Sequence, residues 1–117
     1  MKIKRGEVWK VRLNPTEGSE INKERPCVVV SNDAIGVLPL KIIVPITEWK
    51  ERYAVAPWLI PLEVTAANGL SKKSAADTFQ VRSISEERFI ERLGELKAQD
   101  LQLIEAGLSI CLDIGEK

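Results

Sequence analysis

Histidine is absent from this sequence, and cysteine occurs only twice, at Cys27 and Cys111. Without imidazole there is no ordinary titration near neutral pH, no access to the commonest zinc ligand, and no Ser-His-Asp or Cys-His constellation. Any catalysis must draw on other side chains. The two cysteines are not at metal-binding spacing, and each lies in an apolar run where a buried thiol is the common outcome. Nothing requires a disulfide between them. Long apolar runs are missing as well: no uninterrupted stretch approaches the roughly 18 residues of a membrane span. The amino terminus, Met1-Lys2-Ile3-Lys4-Arg5-Gly6-Glu7, lacks the apolar centre of a secretory signal. A cytoplasmic protein is expected.

Net charge is lacking too, since 17 Lys and Arg balance 17 Asp and Glu. The charge is nevertheless unevenly spread. Residues 1–84 carry 13 basic and 9 acidic side chains, a net of +4, whereas residues 85–117 carry 4 and 8, a net of −4. The first part suits a phosphate partner and the second does not. With 44% hydrophobic and 29% charged residues in 117, the chain lies far from disordered compositions and has the length of one domain spanning 1–117.

From Glu7 to Leu13 the apolar Trp9, Val11 and Leu13 alternate with Lys10 and Arg12, the period of a half-buried strand. Asn14 to Glu24 is polar and rich in turn formers, which predicts a long exposed loop. Pro26 favours an extended Arg25 and leads into the buried strand Cys27-Val28-Val29-Val30. Ser31-Asn32-Asp33 closes it. Lys41 to Thr47 reads as a third strand and Trp58 to Val64 as a fourth, with Pro45 and Pro61 each implying an edge or a bulge. Asn68-Gly69 signals a turn, and Ser74 to Ile84 reads as a fifth strand with Thr78, Gln80 and Arg82 on one face. Ser85 before Glu86 and Glu87 has the chemistry of a helix start, interrupted at Gly94. Leu101, Ile104, Leu108, Cys111 and Leu112 then mark one stripe of a closing amphipathic helix. The pattern is α+β, mainly β: an antiparallel, partly closed barrel packed by a carboxyl-terminal helix.

Fold does not supply function, so particular residues must. The run Arg5-Gly6-Glu7-Val8-Trp9, the loop Leu13-Asn14-Pro15-Thr16-Glu17-Gly18-Ser19-Glu20, and Lys23-Glu24-Arg25-Pro26-Cys27-Val28-Val29-Val30-Ser31-Asn32-Asp33 resemble the MazF/PemK family of toxin endoribonucleases. Val44-Pro45-Ile46-Thr47, Gly69-Leu70, Gln80-Val81-Arg82-Ser83-Ile84 and Arg92-Leu93-Gly94-Glu95-Leu96 extend the resemblance over nearly the whole chain. It implies a homodimeric SH3-like barrel that cuts single-stranded RNA without a metal or cofactor, leaves a cyclic phosphate and a 5′-hydroxyl, and is occluded by a MazE-like antitoxin.

Cyclising a 2′-hydroxyl onto phosphate needs a base, charge stabilisation at the phosphoryl oxygens and a proton for the departing oxygen. Arg25 offers a forked cation matched to phosphate, and the resemblance makes it catalytic. Thr47, at the end of the third strand, can donate its hydroxyl, and the resemblance makes it the second catalytic residue. Glu20 matches a loop carboxylate near the scissile phosphate, a candidate base; read alone it is a solvated loop glutamate. Ser19 stands where some members of the family carry histidine, so a mechanism through that imidazole is closed here. Gln80 and Arg82, expected on one strand face, suit base-edge and phosphate contacts. Asn32 is a further candidate for positioning RNA, although Ser-Asn-Asp is also an ordinary turn. Ser19, Asn32, Gln80 and Arg82 thus form the expected RNA-binding set. Phe79 stands where many family members are acidic, which removes any acid-base role there. Trp9 fits the core, while Trp49 and Trp58 flank a segment, Glu48 to Pro57, suited to substrate selection. The competing readings are a non-catalytic toxin resembling CcdB that acts on gyrase, and a barrel that binds RNA or protein without chemistry.

Overall fold

The structure, a computed structural model, describes residues 2–115; Met1, Glu116 and Lys117, which the expected domain span includes, lie outside the described residues. Seven strands follow in order: β1 (Glu7–Arg12), β2 (Glu24–Val29), β3 (Leu40–Glu48), β4 (Leu59–Leu62), β5 (Ser74–Asp77), β6 (Arg82–Ser85) and β7 (Phe89–Glu95). Among the described residues one α-helix, α1 (Ala98–Leu112), follows the strands. The strands run in the order β4-β5-β3-β2-β1-β7, with β6 also paired to β3, and every pairing is antiparallel. The sheet curls strongly without closing, as expected for a partly closed barrel.

Both faces of the central strands are buried, which explains their continuous apolar runs. Val8, Val28, Val44 and Ile46 join Ile60, Leu62 and Ala76 in a core that Ile104 of α1 caps. Alternate residues on the same strands, Trp9, Val11, Cys27, Val29 and Ile43, turn to a second core with Ile84 and Phe89. Trp9 meets Phe89 edge to face at 5.7 Å between ring centres, a favoured aromatic geometry. Its expected core role is observed.

Pro61 sits on the edge strand β4, as expected. Pro45 does not: β3 is central, and its proline falls between the stretch paired to β6, ending at Ile43, and the stretch paired to β5, beginning at Ile46. A missing N–H at that break interrupts no ladder.

Two expectations fail. The fifth strand divides into β5 and β6 around a 3₁₀ turn over Thr78–Gln80, so Gln80 and Arg82 do not share a strand face. Asp77 drives the break, because its carboxylate accepts the Phe79 N–H at 3.1 Å and offers the chain a turn in place of ladder pairing. The helix expected from Ser85 is also absent. The Ser85 hydroxyl does cap, accepting from the Glu87 N–H at 3.2 Å, but what it caps is one 3₁₀ turn over Glu86–Arg88 before β7. Strand β7 wins because Phe89 is needed in the second core and Gly94 must lie against another backbone: a Cβ on Gly94 would come 2.2 Å from the Ala67 carbonyl oxygen.

The closing helix forms where its stripe predicts. Ile104 is buried, Leu101 and Leu108 pack beside it, and Gly107 lets α1 approach Thr78 and Ile60. Leu112 departs from the stripe and is exposed. Both cysteines are free thiols. No described helix is long and apolar enough to cross a membrane.

Candidate active site

Two grooves flank the junction of β2 and β3. The first, about 440 Å³, is lined by Arg25, Pro26, Ile46, Thr47, Glu48, Lys50, Gly69, Leu70, Ser71, Lys72, Ser74 and Leu93. The second, about 530 Å³, is lined by Ser19, Glu20, Ile21, Pro45, Phe79, Gln80, Val81 and Arg82. Consecutive residues of β3 serve the two, Pro45 the second and Ile46 the first.

Arg25 and Thr47 line the first groove together. Cys27 pairs with Pro45 and Val28 with Val44; the same register, carried two residues further, would set Arg25 across from Thr47, and both are half-buried. Side chains opposite one another on one face of an antiparallel pair lie close together. Arg25 is steadied by its Nε, which donates to the Asn22 carbonyl at 3.2 Å, and its remaining N–H groups can face the groove. Around this pair stand Lys50, Lys72, Ser71 and Ser74, none of them singled out from the sequence. Lys72-Lys73, directly after the Asn68-Gly69 turn, was the available signal. Lys72 pairs with Glu48 at 3.4 Å. The result is a groove of cations and hydroxyls with one carboxylate.

Glu20 lines the second groove rather than this one. Its carboxylate accepts the Glu17 N–H at 2.7 Å, and its own N–H donates to the Glu17 carbonyl at 3.1 Å, a closed turn within the β1–β2 loop. That loop is anchored at its base by Arg88, whose Nη1 donates to the Asn14 carbonyl at 2.6 Å, and by Arg82, whose Nη1 donates to the Leu13 carbonyl at 3.3 Å. Arg82 thus contributes both to the groove wall and to the loop. Gln80 is turned to the same loop, accepting the Ile21 N–H at 2.6 Å. Ser19 is exposed at the groove edge.

Asn32 is not brought to either groove. It lies beyond the other end of β2, roughly 20 Å along the strand from Arg25, where its side chain accepts the Ala34 N–H at 2.8 Å in an ordinary Asx turn. Trp49 packs edge to face with Tyr53 at 5.9 Å, with the Lys73 ammonium 4.9 Å from its ring centre. Trp58 and the exposed Phe79 meet Ile110 and Cys111 in a shallow apolar hollow, and Phe79 also borders the Gln80 groove.

Burial dominates two of the shifted titrations. It pushes the Asp77 carboxyl upward against the hydrogen bonds from Phe79 and Gln80. It drives the Cys27 thiol to about 12, with the Arg82 charge opposing, so Cys27 is a core residue and no nucleophile. Among the described residues no three Cys, Asp or Glu side chains gather as a metal site would require.

Comparison with known proteins agrees with this architecture. Residues 4–112 match the family of PemK-like, MazF-like toxins of type II toxin–antitoxin systems. The chain is 35% identical over 118 residues to endoribonuclease MazF9 of Mycobacterium tuberculosis (strain ATCC 25618 / H37Rv), covering 96% of this chain and 98% of that protein. It superposes on the crystal structure of MazF from Deinococcus radiodurans with a TM-score of 0.78 and 25% identity, covering 94% and 96% of the two chains. A MazE–MazF complex from the same organism aligns with a TM-score of 0.72 at 25% identity, covering 95% and 96%. The chain belongs to the PemK-like, MazF-like toxins of type II toxin–antitoxin systems.

Proposed function

We propose that this toxin is an endoribonuclease that cleaves single-stranded RNA in the Arg25–Thr47 groove, without a metal, leaving a cyclic phosphate and a 5′-hydroxyl. The observation that carries the reading is that Arg25 and Thr47 line one groove, which adds Lys50 and Lys72. In this scheme the 2′-hydroxyl attacks the adjacent phosphorus while the bond to the 5′-oxygen breaks, and water gives that oxygen the proton that makes it the 5′-hydroxyl. The Arg25 guanidinium and the Thr47 hydroxyl bind the phosphoryl oxygens as charge builds on them. Glu20 takes the 2′-hydroxyl proton once RNA has displaced its carboxylate from the Glu17 N–H. Ser19 and Arg82, on the wall of the second groove, hold the flanking nucleotides.

The proposed setting is the cytoplasm, where cleavage of mRNA arrests translation. A MazE-like antitoxin is the proposed inhibitor, and a second copy of this chain the proposed structural partner. Support for the second copy comes from Ile35, Val37 and Leu38, exposed in the β2–β3 connection and continued by the partly exposed Leu40 and Ile42; contiguous exposed apolar surface of this kind marks an interface.

The test is incubation of purified protein with a long unstructured RNA in EDTA, beside Arg25→Ala, with the fragment ends mapped. Discrete cuts by the wild type alone, ending in cyclic phosphate and 5′-hydroxyl, are expected. No cuts, or equal cuts by the variant, would overturn the assignment.

A further inference from the structure

Glu20 sits in an exposed loop, yet the residues on either side of it are held from across the molecule by one side chain. The Gln80 Oε1 accepts the Ile21 N–H at 2.6 Å, and its Nε2 donates to the Ser19 carbonyl at 3.4 Å. The same Nε2 donates to the Asp77 Oδ2 at 3.2 Å, while Asp77 Oδ1 accepts the Phe79 N–H. This wiring fixes the direction of the amide. Only its oxygen can accept from Ile21, and only its NH₂ can satisfy a carboxylate and a carbonyl together. Asp77 therefore orients Gln80, and Gln80 orients the backbone that carries Glu20.

Asp77 is half-buried at the end of β5, on the rigid sheet, whereas residues 17–20 are all exposed. A base must come within hydrogen-bond reach of the proton it takes, and displacement by about 1 Å can cost on the order of 100-fold in rate. We propose that Asp77 and Gln80 form a relay that sets the position of the Glu20-bearing loop, so that both act as positioning residues for RNA cleavage. The proposal rests on the ribonuclease reading with Glu20 as base. It assigns Gln80 to the protein's own loop instead of to a nucleotide.

A polarity exchange tests it. Asp77→Asn turns an NH₂ toward an NH₂, and Gln80→Glu sets a carboxylate against a carboxylate, so each single variant loses the link. In Asp77→Asn/Gln80→Glu the introduced amide donates to the introduced carboxylate, which still accepts from Ile21 but no longer donates to the Ser19 carbonyl. Each single change is expected to lower kcat by about 10- to 100-fold with KM moved less than about threefold, and the double variant, which restores the Asp77 and Ile21 links but not the Ser19 one, to regain part of that loss. Hydrogen exchange at the Ile21 amide should rise in both single variants and fall back in the double. An Asp77→Asn variant that cleaves at the wild-type rate, or a double variant no better than its parents, would overturn the relay. So would a KM rise at constant kcat in Gln80→Glu alone, the mark of direct RNA contact. A wild type that cuts no RNA would instead refute the ribonuclease reading, and the exchange of the Ile21 amide would still decide whether Asp77 and Gln80 hold the loop.

Discussion

Replacing Thr47 by Val separates chemistry from stability. Thr47 lines the Arg25 groove, and its hydroxyl makes no hydrogen bond among the described residues. Valine keeps the shape, the β-branch and the backbone pairing with Ala75. The fold therefore loses little, within about 0.5 kcal/mol. At about 2.1 cal/mol/K per residue, a chain of this length has an unfolding entropy of about 0.25 kcal/mol/K, so Tm should move by no more than about 2 °C. Cleavage should respond very differently. A hydrogen bond to a charged group contributes about 1.5–3 kcal/mol, which converts to a loss of roughly 10- to 150-fold in kcat/KM. Thr47→Ser, which keeps the hydroxyl, should stay within a few-fold of wild type. The assay is initial-rate cleavage of a labelled RNA containing the mapped site, paired with scanning calorimetry on the same preparations. Wild-type kcat/KM in Thr47→Val would show that the hydroxyl never meets the phosphate. A Tm drop beyond about 5 °C accompanying the rate loss would show that Thr47 supports the strand instead, because that exceeds the cost of an unbonded hydroxyl.

Gly94→Ala should destabilise by about 1–3 kcal/mol, or roughly 4–12 °C in Tm, because the backbone of residues 67–69 cannot yield cheaply to a Cβ; an unchanged Tm would mean that this loop stands off β7. With its pKa near 12, Cys27 is expected to stay unreactive toward a thiol reagent at pH 8, where Cys111 is modified, and to react only after unfolding. Rapid modification of both thiols in the native protein would contradict the buried second core. Burial alone would raise the Glu7 carboxyl, but hydrogen bonds from Arg92, the Lys4 N–H and the Trp9 indole outweigh it and hold the group below its ordinary value. A depressed pKa stabilises above the unfolded value and is lost as pH falls through the folded one. Urea unfolding from about pH 6 to pH 3 should therefore show a shallower acid decline in Glu7→Gln than in wild type. Identical slopes would remove Glu7 from the acid limb.

The strands and the closing helix were legible because their signals are dense: β-branched runs bounded by turn formers for β2 and β3, a 3.6-residue stripe for α1. The stretch from Ser74 to Glu95 was not, and the reasons are local. Period two over Thr78, Gln80 and Arg82 says nothing about Asp77, whose carboxylate bonds two residues ahead and folds a turn into the middle of the pattern. Ser85 carries a real capping signal, but a cap satisfies any free N–H and does not set how many turns follow. What ends the turn is tertiary: Phe89 is claimed by Trp9, and Gly94 by the carbonyl of Ala67. The site divides along the same line. Arg25 and Thr47 were singled out by motif, and they line one groove. Lys50, Lys72 and the Asp77–Gln80 link depend on how connections fold back on the sheet, which spacing along a strand does not encode.

The balanced charge of the chain is likewise a sum over surfaces that never act together. The two grooves place Arg25, Lys50, Lys72 and Arg82 against only Glu20 and Glu48. None of the described acidic residues after Ser85 lines either groove; Glu105, for example, is spent on Arg5 at 2.6 Å, and Glu95 lies beside Arg92. At physiological salt, exposed charges separated by more than about 8 Å are largely screened. A phosphate in the groove is governed by the cations lining it rather than by the distant helix. The acidic half of the sequence can therefore bring the total to zero, and keep the protein away from indiscriminate polyanion binding, while leaving the Arg25 groove positive.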